Sequence, residues 1–211
     1  DFSIMSSLRF ARMLVNISGT KPGETILDPF CGIGTILGEA MAIGCNGIGV
    51  EIEKSRVIDA RQNLKWYKEK YYPDLPLSFK IFEGDSTRLS QVIDKKQFAE
   101  INNVVTEPEL GPLLRGTPTD AEAKHSKSIL DPLYNSFFGE LFEMLPDNAK
   151  IVIILPEFIT KEGKSYKLKI DNLRNFQTVN PTKGLDMELS MPIECSEDWN
   201  YISRKLYILQ K

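Results

Sequence analysis

Positive charge is what this chain lacks for gripping a polyanion unaided. Lys and Arg number 26 against 29 Asp and Glu, a net charge of −3, the wrong sign for a domain that holds nucleic acid by itself. Cysteine is scarce too. Cys31, Cys45 and Cys195 show no metal-ligand spacing and no even framework, which argues against a disulfide scaffold or a metal site and favours a reducing cytoplasm. No apolar run approaches the ~20 residues that cross a bilayer, and no signal peptide opens the chain, so no membrane partner is expected. Internal repeats and low-complexity tracts are absent.

What is present is the composition of a globular domain: 211 residues, 42% hydrophobic and 26% charged, enough for a full central sheet and its covering helices. Apolar spacing predicts helices over 6–17, 34–43, 54–71 and 126–145 and strands over 25–27, 46–50, 78–82, 101–105 and 151–155. The last third, at 166–170, 177–179 and 202–209, has β character. Strands alternating with helices, then a β-rich tail, predict an α/β fold. Its sheet is mostly parallel and twisted, with helices on both faces and an antiparallel C-terminal edge strand. The chain opens on Asp1 without methionine, and residues 1–211 are expected to be one domain excised from something longer.

Residues 25–51 carry the most information. An apolar strand ends on Asp28, glycines follow at 32 and 34, and a helix begins at once; a second apolar strand ends on Glu51, nineteen positions after Gly32. This is the first βαβ unit of a Rossmann-type nucleotide site, where glycines admit the ligand to the backbone and the second acid holds ribose hydroxyls. Asp28 selects the ligand. A dinucleotide pyrophosphate takes a bare helix N-terminus, and a carboxylate at the loop entrance would repel it. S-adenosylmethionine carries an ammonium and a sulfonium and no phosphate. The third glycine of the dinucleotide pattern is also missing, Gly38 falling one position late. These residues favour a methyl donor over NAD.

Asp28, Glu51, Asp85 and Glu107 each close a predicted strand and are expected to face one crevice. Asp28 is assigned to the cofactor's ammonium, through water or backbone amides, Glu51 to both ribose hydroxyls, and Asp85 to the adenine amine, with the Ser86 backbone donating to the ring. Cys31 should touch the cofactor by packing. The full cofactor-binding set expected is Asp28, Pro29, Phe30, Cys31, Gly32, Gly34, Thr35, Glu51, Ile52, Asp85 and Ser86, with no metal. Each acid alone is as well explained by a turn or a helix cap; four at successive strand ends are not.

The stretches 5–16, 27–39 (LDPFCGIGTILGE), 47–63 (GIGVEIEKSRVIDARQN), 83–89 (EGDSTRL) and 104–112 (VVTEPELGP) resemble the catalytic domain of the tRNA guanine-N2 methyltransferase group. These are Rossmann-like class I enzymes, often preceded by an RNA-binding THUMP domain. The resemblance spans about residues 5–112. It implies S-adenosylmethionine as cofactor and methylation of an exocyclic base amine in RNA, guanine N2 in tRNA foremost, as cytoplasmic tRNA processing. It also implies RNA as partner, with a missing N-terminal RNA-binding domain or, as in some relatives, a small activator subunit.

Amino methyltransferases of this kind carry Asp-Pro-Pro-Tyr-Gly after the fourth strand. The acid and a backbone carbonyl accept both amine protons and aim the nitrogen at the methyl group, while the aromatic stacks on the base. The resemblance places Glu107, Pro108 and Leu110 at those catalytic positions, in the sequence Glu107-Pro108-Glu109-Leu110-Gly111. Glu107 keeps the charge and adds a methylene; Glu109 replaces the second proline; Leu110 removes the stacking face, which Phe30, Tyr134 or Phe138 would have to restore. These departures leave an altered acceptor, a weak enzyme, or a cofactor-binding domain without catalysis. Arg115 and Gly116 lie just past this loop, where a phosphate or base edge would be reachable; a surface arginine with no partner is the other reading. His125, the only histidine, reads as part of a helix start, and the lysines at 65, 68 and 70 and at 161, 164, 167 and 169 read as solvated faces. The leading reading is an RNA amino methyltransferase. Its rivals are a non-catalytic S-adenosylmethionine-binding module and a DNA adenine-N6 methyltransferase.

Overall fold

A computed structural model of the chain describes residues 7–184, 188–196 and 201–211; Met5 and Ser6, where the sequence places the start of the first helix, lie outside the described residues. Helix α1 (Leu8–Ser18) begins where the Ser7 side chain accepts a hydrogen bond from the Phe10 amide and ends where Gly19 turns left-handed, each satisfying backbone groups a helix end leaves open. There follow β1 (Thr25–Asp28), α2 (Thr35–Ala42), β2 (Asn46–Glu51), α3 (Lys54–Tyr71) and β3 (Phe79–Glu83). Two short helices, α4 (Leu89–Val92) and α5 (Lys95–Ala99), lead to β4 (Ile101–Thr106), the long α6 (Asp120–Met144) and β5 (Lys150–Ile159). The tail supplies β6 (Ser165–Lys167), β7 (Gln177–Thr178), β8 (Ile193–Glu194) and β9 (Ser203–Gln210).

The sheet runs β3-β2-β1-β4-β5-β9-β7. The first five strands are mutually parallel, and β9 is antiparallel to β5 along its whole length. The expected antiparallel margin is therefore present, with β7 and β8 lying end to end along the outer side of β9. Past the end of β4, β5 continues and pairs there with β6.

Consecutive residues of the central strands serve opposite faces, as the two-residue period of a strand requires. Leu27, Val104 and Ile151 pack with Tyr134, Phe137 and Phe138 of α6. Ile26, Val105 and Val152 pack on the other face with Leu14 of α1, Leu37 of α2 and Ala60 of α3. A strand buried on both sides has no polar face to show, which is why these segments read as unbroken apolar runs.

Helix α6 starts six residues earlier than apolar spacing predicts. Thr119 and Glu122 form a reciprocal capping box there, so local hydrogen bonding, not burial, sets the start. His125 accordingly lies inside the helix, exposed, and not at its beginning.

Strand β2 tolerates only small residues at 47 and 49. A Cβ on Gly49 would come within 2.8 Å of Cys31 Sγ and 2.9 Å of Leu37. Gly49→Ala should therefore cost about 1–3 kcal/mol through overpacking, read from urea unfolding; an unchanged midpoint would show that the glycine loop and α2 can retreat without loss.

Candidate cofactor and acceptor site

The strand order reverses between β1 and β4, and the carboxyl ends of those two strands open the crevice where sheets of this kind hold ligands. Asp28 ends β1 and Thr106 ends β4. The buried Thr106 hydroxyl donates to Asp28 Oδ1 at 2.8 Å, and the Phe30 amide donates to the same oxygen at 3.2 Å. Asp28, 1% exposed, thus ties the glycine loop to the strand that leads into the Glu107 loop. Burial pushes its carboxyl up to about 7, against the pull of those two hydrogen bonds and with the charges of Glu51 and Glu107 adding to the rise.

The glycine loop leaves β1 through Pro29, whose carbonyl accepts from the buried Ser86 hydroxyl. Gly32 and Gly34 have φ of 53° and 90°, left-handed values that a side chain would strain, and a Cβ at Gly32 would meet nothing within 4 Å. Thr35 then opens α2. Glu51, at the end of β2, accepts from the Gly32 amide at 3.0 Å on one oxygen and from the Glu53 amide at 2.9 Å on the other. Its carboxylate is fixed against the loop that it faces. Ile52, the next residue, is 71% exposed, an apolar side chain left at the rim. Asp85 accepts from the amide and the hydroxyl of Thr87, capping the short turn that buries Ser86. Cys31 is buried, and burial with the charges of Asp28 and Glu51 raises its thiol beyond the ordinary range, which leaves it a packing group and not a nucleophile.

The loop that opens on Glu107 follows β4. Glu107 is 7% exposed at its side chain and forms an ion pair with Arg204 of β9, Nη2 to Oε1 3.2 Å. Pro108 is buried. Glu109 projects outward, but its carbonyl accepts from the Tyr134 hydroxyl at 2.9 Å, so the core of α6 holds the loop from beneath. Leu110 is half-buried against the face that carries α1. Of the three aromatic residues expected to replace the missing stacking face, Tyr134 and Phe138 are fully buried in the core and cannot stack on a ligand. Phe30 alone is half-exposed, edge-on to Phe137 at 5.0 Å.

Two residues of the site escaped the sequence reading. Thr106 could have been found from its place just before the loop acid. Arg204 could not: it approaches Glu107 only because β9 inserts beside β5. Arg115 is exposed, and no cluster of metal-ligating side chains occurs among the described residues. The basic groups are partly committed, Lys164 to Asp120, Lys68 to the Leu77 carbonyl, and Lys70 over the Trp66 ring.

Residues 5–108 match the RMKL-like methyltransferase domain. A tRNA (guanine(10)-N2)-dimethyltransferase of Methanothermobacter thermautotrophicus is 31% identical over 157 residues, 74% of this chain and 40% of that relative. The chain thus spans about two fifths of that relative's length. Among solved structures, TrmN of Thermus thermophilus superposes with a TM-score of 0.61 at 16% identity over 98% of this chain and 49% of its own. An RNA methyltransferase of Salinibacter ruber in complex with S-adenosyl-L-homocysteine gives 0.51 at 15% identity over 99% and 95%. At such identities the likeness is one of fold: a Rossmann-like class I methyltransferase fold.

The raised carboxyl of Asp28 has a pH signature. Between its ordinary value of 3.8 and about 7, the folded chain keeps a proton that the unfolded chain has released, so this residue's contribution to stability falls as pH rises through that window. Asp28→Asn should flatten that part of the curve of melting temperature against pH. An unaltered slope would show Asp28 ionised throughout.

Proposed function

We propose that this chain, which over residues 5–108 belongs to the RMKL-like methyltransferase family, transfers a methyl group from S-adenosylmethionine to the exocyclic amine of a base in RNA, guanine N2 of tRNA foremost. The observation that carries the reading is the meeting, at one strand-order reversal, of a fixed ribose-type carboxylate (Glu51), a left-handed glycine loop and an acid-proline acceptor loop (Glu107-Pro108). The named activity of the archaeal relative supports the choice of guanine and tRNA.

The crevice fits the cofactor by the chemistry of its donors and acceptors. Glu51 is held by two amides and keeps acceptor capacity for ribose hydroxyls, since a carboxylate offers about four lone-pair sites. Ile52 offers an apolar edge to a flat purine, and Asp85 with Ser86 stands beyond it. Asp28 lies inward, so its effect on the ammonium acts through the Phe30 amide and the loop that it shapes. Bound there, S-adenosylmethionine supplies a methyl group on an electrophilic sulfonium.

The chain's own task is to present the acceptor. A base amine is a weak nucleophile because its lone pair is delocalised into the ring. Glu107 and a loop carbonyl would accept its two protons and turn the nitrogen toward the methyl group, a positioning effect of several kcal/mol. The released proton needs no histidine, in keeping with the exposed position of His125.

RNA as partner and the cytoplasm as its place belong to the same proposal; no helix among the described residues is long and apolar enough to cross a membrane. A net charge of −3 leaves much of the RNA affinity to a further domain or a subunit. A cofactor-binding module without turnover is the second reading. It is favoured by Leu110, which is packed against the core where a stacking face would be needed.

Glu51→Ala should weaken S-adenosylmethionine binding by more than about tenfold, because a hydrogen bond to a charged group is worth about 1.5–3 kcal/mol; calorimetry giving equal affinities would remove Glu51 from the site. Tritium from labelled cofactor should enter tRNA with the wild-type chain and fall by at least about tenfold with Glu107→Ala. Binding without any transfer, to tRNA or to DNA, would select the second reading, and label found only in DNA adenine would move the substrate class.

A further inference from the structure

We infer that Arg204 is a positioning residue for the methyl-transfer step, fixing where the Glu107 carboxylate stands; the inference rests on the methyltransferase reading above. The guanidinium does not come from a neighbouring loop. It comes from β9, which is separated from β4 by the whole width of β5, and its side chain reaches across to Glu107 Oε1 at 3.2 Å. Arg204 lies two residues before Leu206 and so shares its face, the one that carries α1. There its guanidinium stands 5.7 Å from the Phe10 ring centre, within cation–π range. Its backbone is clamped by β8 and the residues after it: the Arg204 amide donates to Ser196 Oγ at 2.7 Å, and the Cys195 amide donates to the Arg204 carbonyl at 2.8 Å. The strand that carries the cation is thus clamped at its backbone, and the cation itself lies against Phe10 where it meets the acid.

A guanidinium held this way answers the one feature of Glu107 that sets it apart from the aspartate of related loops. Glutamate has an additional methylene and an additional rotatable bond. A carboxylate free to turn about that bond would leave the acceptor position for much of the time, and a displacement of about 1 Å can cost about a hundredfold in rate. The ion pair with Arg204 restrains that turning. It also supplies a positive charge beside an acid that shares the crevice with Asp28 and Glu51, both buried, where an uncompensated charge is costly. The pair is therefore a unit: the length of the acid is matched to the reach of the arginine, and a shorter acid would fall short of its partner.

The test uses the whole protein, with Arg204→Met, Arg204→Lys, Glu107→Asp and the double variant Glu107→Asp/Arg204→Met. Steady-state transfer to tRNA is measured alongside cofactor affinity by calorimetry. Arg204→Met should lower kcat by about 10–100-fold, with KM for tRNA and cofactor affinity changed by less than about threefold, and Arg204→Lys should recover most of the loss. Glu107→Asp should be slow despite keeping the charge, and adding Arg204→Met to it should cost little more, because the coupling is already broken. If Arg204→Met does not fold, Arg204→Lys and Glu107→Asp decide: full rate in Glu107→Asp, or lysine behaving as a null, overturns the inference. A rise in KM for tRNA at constant kcat would make Arg204 a substrate contact and overturn it; so would unchanged kinetics or a loss of cofactor binding. These failures leave the methyltransferase reading standing, whereas a wild-type protein with no transfer at all brings down both.

Discussion

Four carboxylates must stand together at the carboxyl ends of adjacent strands without driving the sheet apart. Left to itself, each would repel the others across a crevice of low polarity, where charges are poorly screened. The structure gives three of these acids fixed hydrogen-bond donors and sets a cation beside the fourth. Asp28 takes the Thr106 hydroxyl and the Phe30 amide. Glu51 takes the amides of Gly32 and Glu53, Asp85 takes Thr87, and Glu107 forms an ion pair with Arg204. The donors are mostly backbone amides and hydroxyls, which hold a carboxylate in place without cancelling its charge. The acids consequently stay in place, and the carboxylate of Glu51 faces the glycine loop, a condition suited to a cationic ligand and poor for a phosphorylated one.

The same bonds join parts of the fold that the sheet alone would leave independent. Asp28 and Thr106 bridge β1 and β4 at the reversal of strand order, so the loop that would carry the cofactor and the loop that would carry the acceptor move as one. Glu51 fastens the end of β2 to the first turn of the glycine loop. The Ser86 hydroxyl fastens the segment after β3 to the Pro29 carbonyl. From below, the Tyr134 hydroxyl holds the Glu109 carbonyl, so an aromatic residue that cannot serve as a stacking face serves to shape the loop above it. Rigidity of this kind would matter for the proposed methyl transfer, in which alignment of nitrogen and methyl group is most of the catalysis.

The C-terminal part extends this scheme past the residues with recognisable motifs. Strand β9 completes both cores, through Leu206 and Ile208 on one face and Leu209 on the other, and places a cation beside Glu107. A strand that closes the sheet therefore also enters the site. If Arg204 positions Glu107 as proposed, the β-rich tail serves the chemistry as well as stability.

The αβ order, the glycine loop and the four strand-end acids were legible in the chain because they depend on local rules: apolar runs for doubly buried strands, left-handed glycines, and acids at fixed distances from them. Helix α6 shows where such rules blur, since its polar first turns carry no apolar spacing and its start is set by a capping box. Tertiary structure alone decided which way the acids face. Asp28 turned out to be an internal strut, although spacing cannot distinguish it from a ligand contact, and Tyr134 and Phe138 were drawn into the core. Arg204 is the clearest case. Its partner lies almost a hundred residues earlier in the chain, and nothing near either residue announces the other. They meet because the antiparallel strand β9 must cover β5, and a side chain's reach across a sheet is a property of register, which no local pattern records.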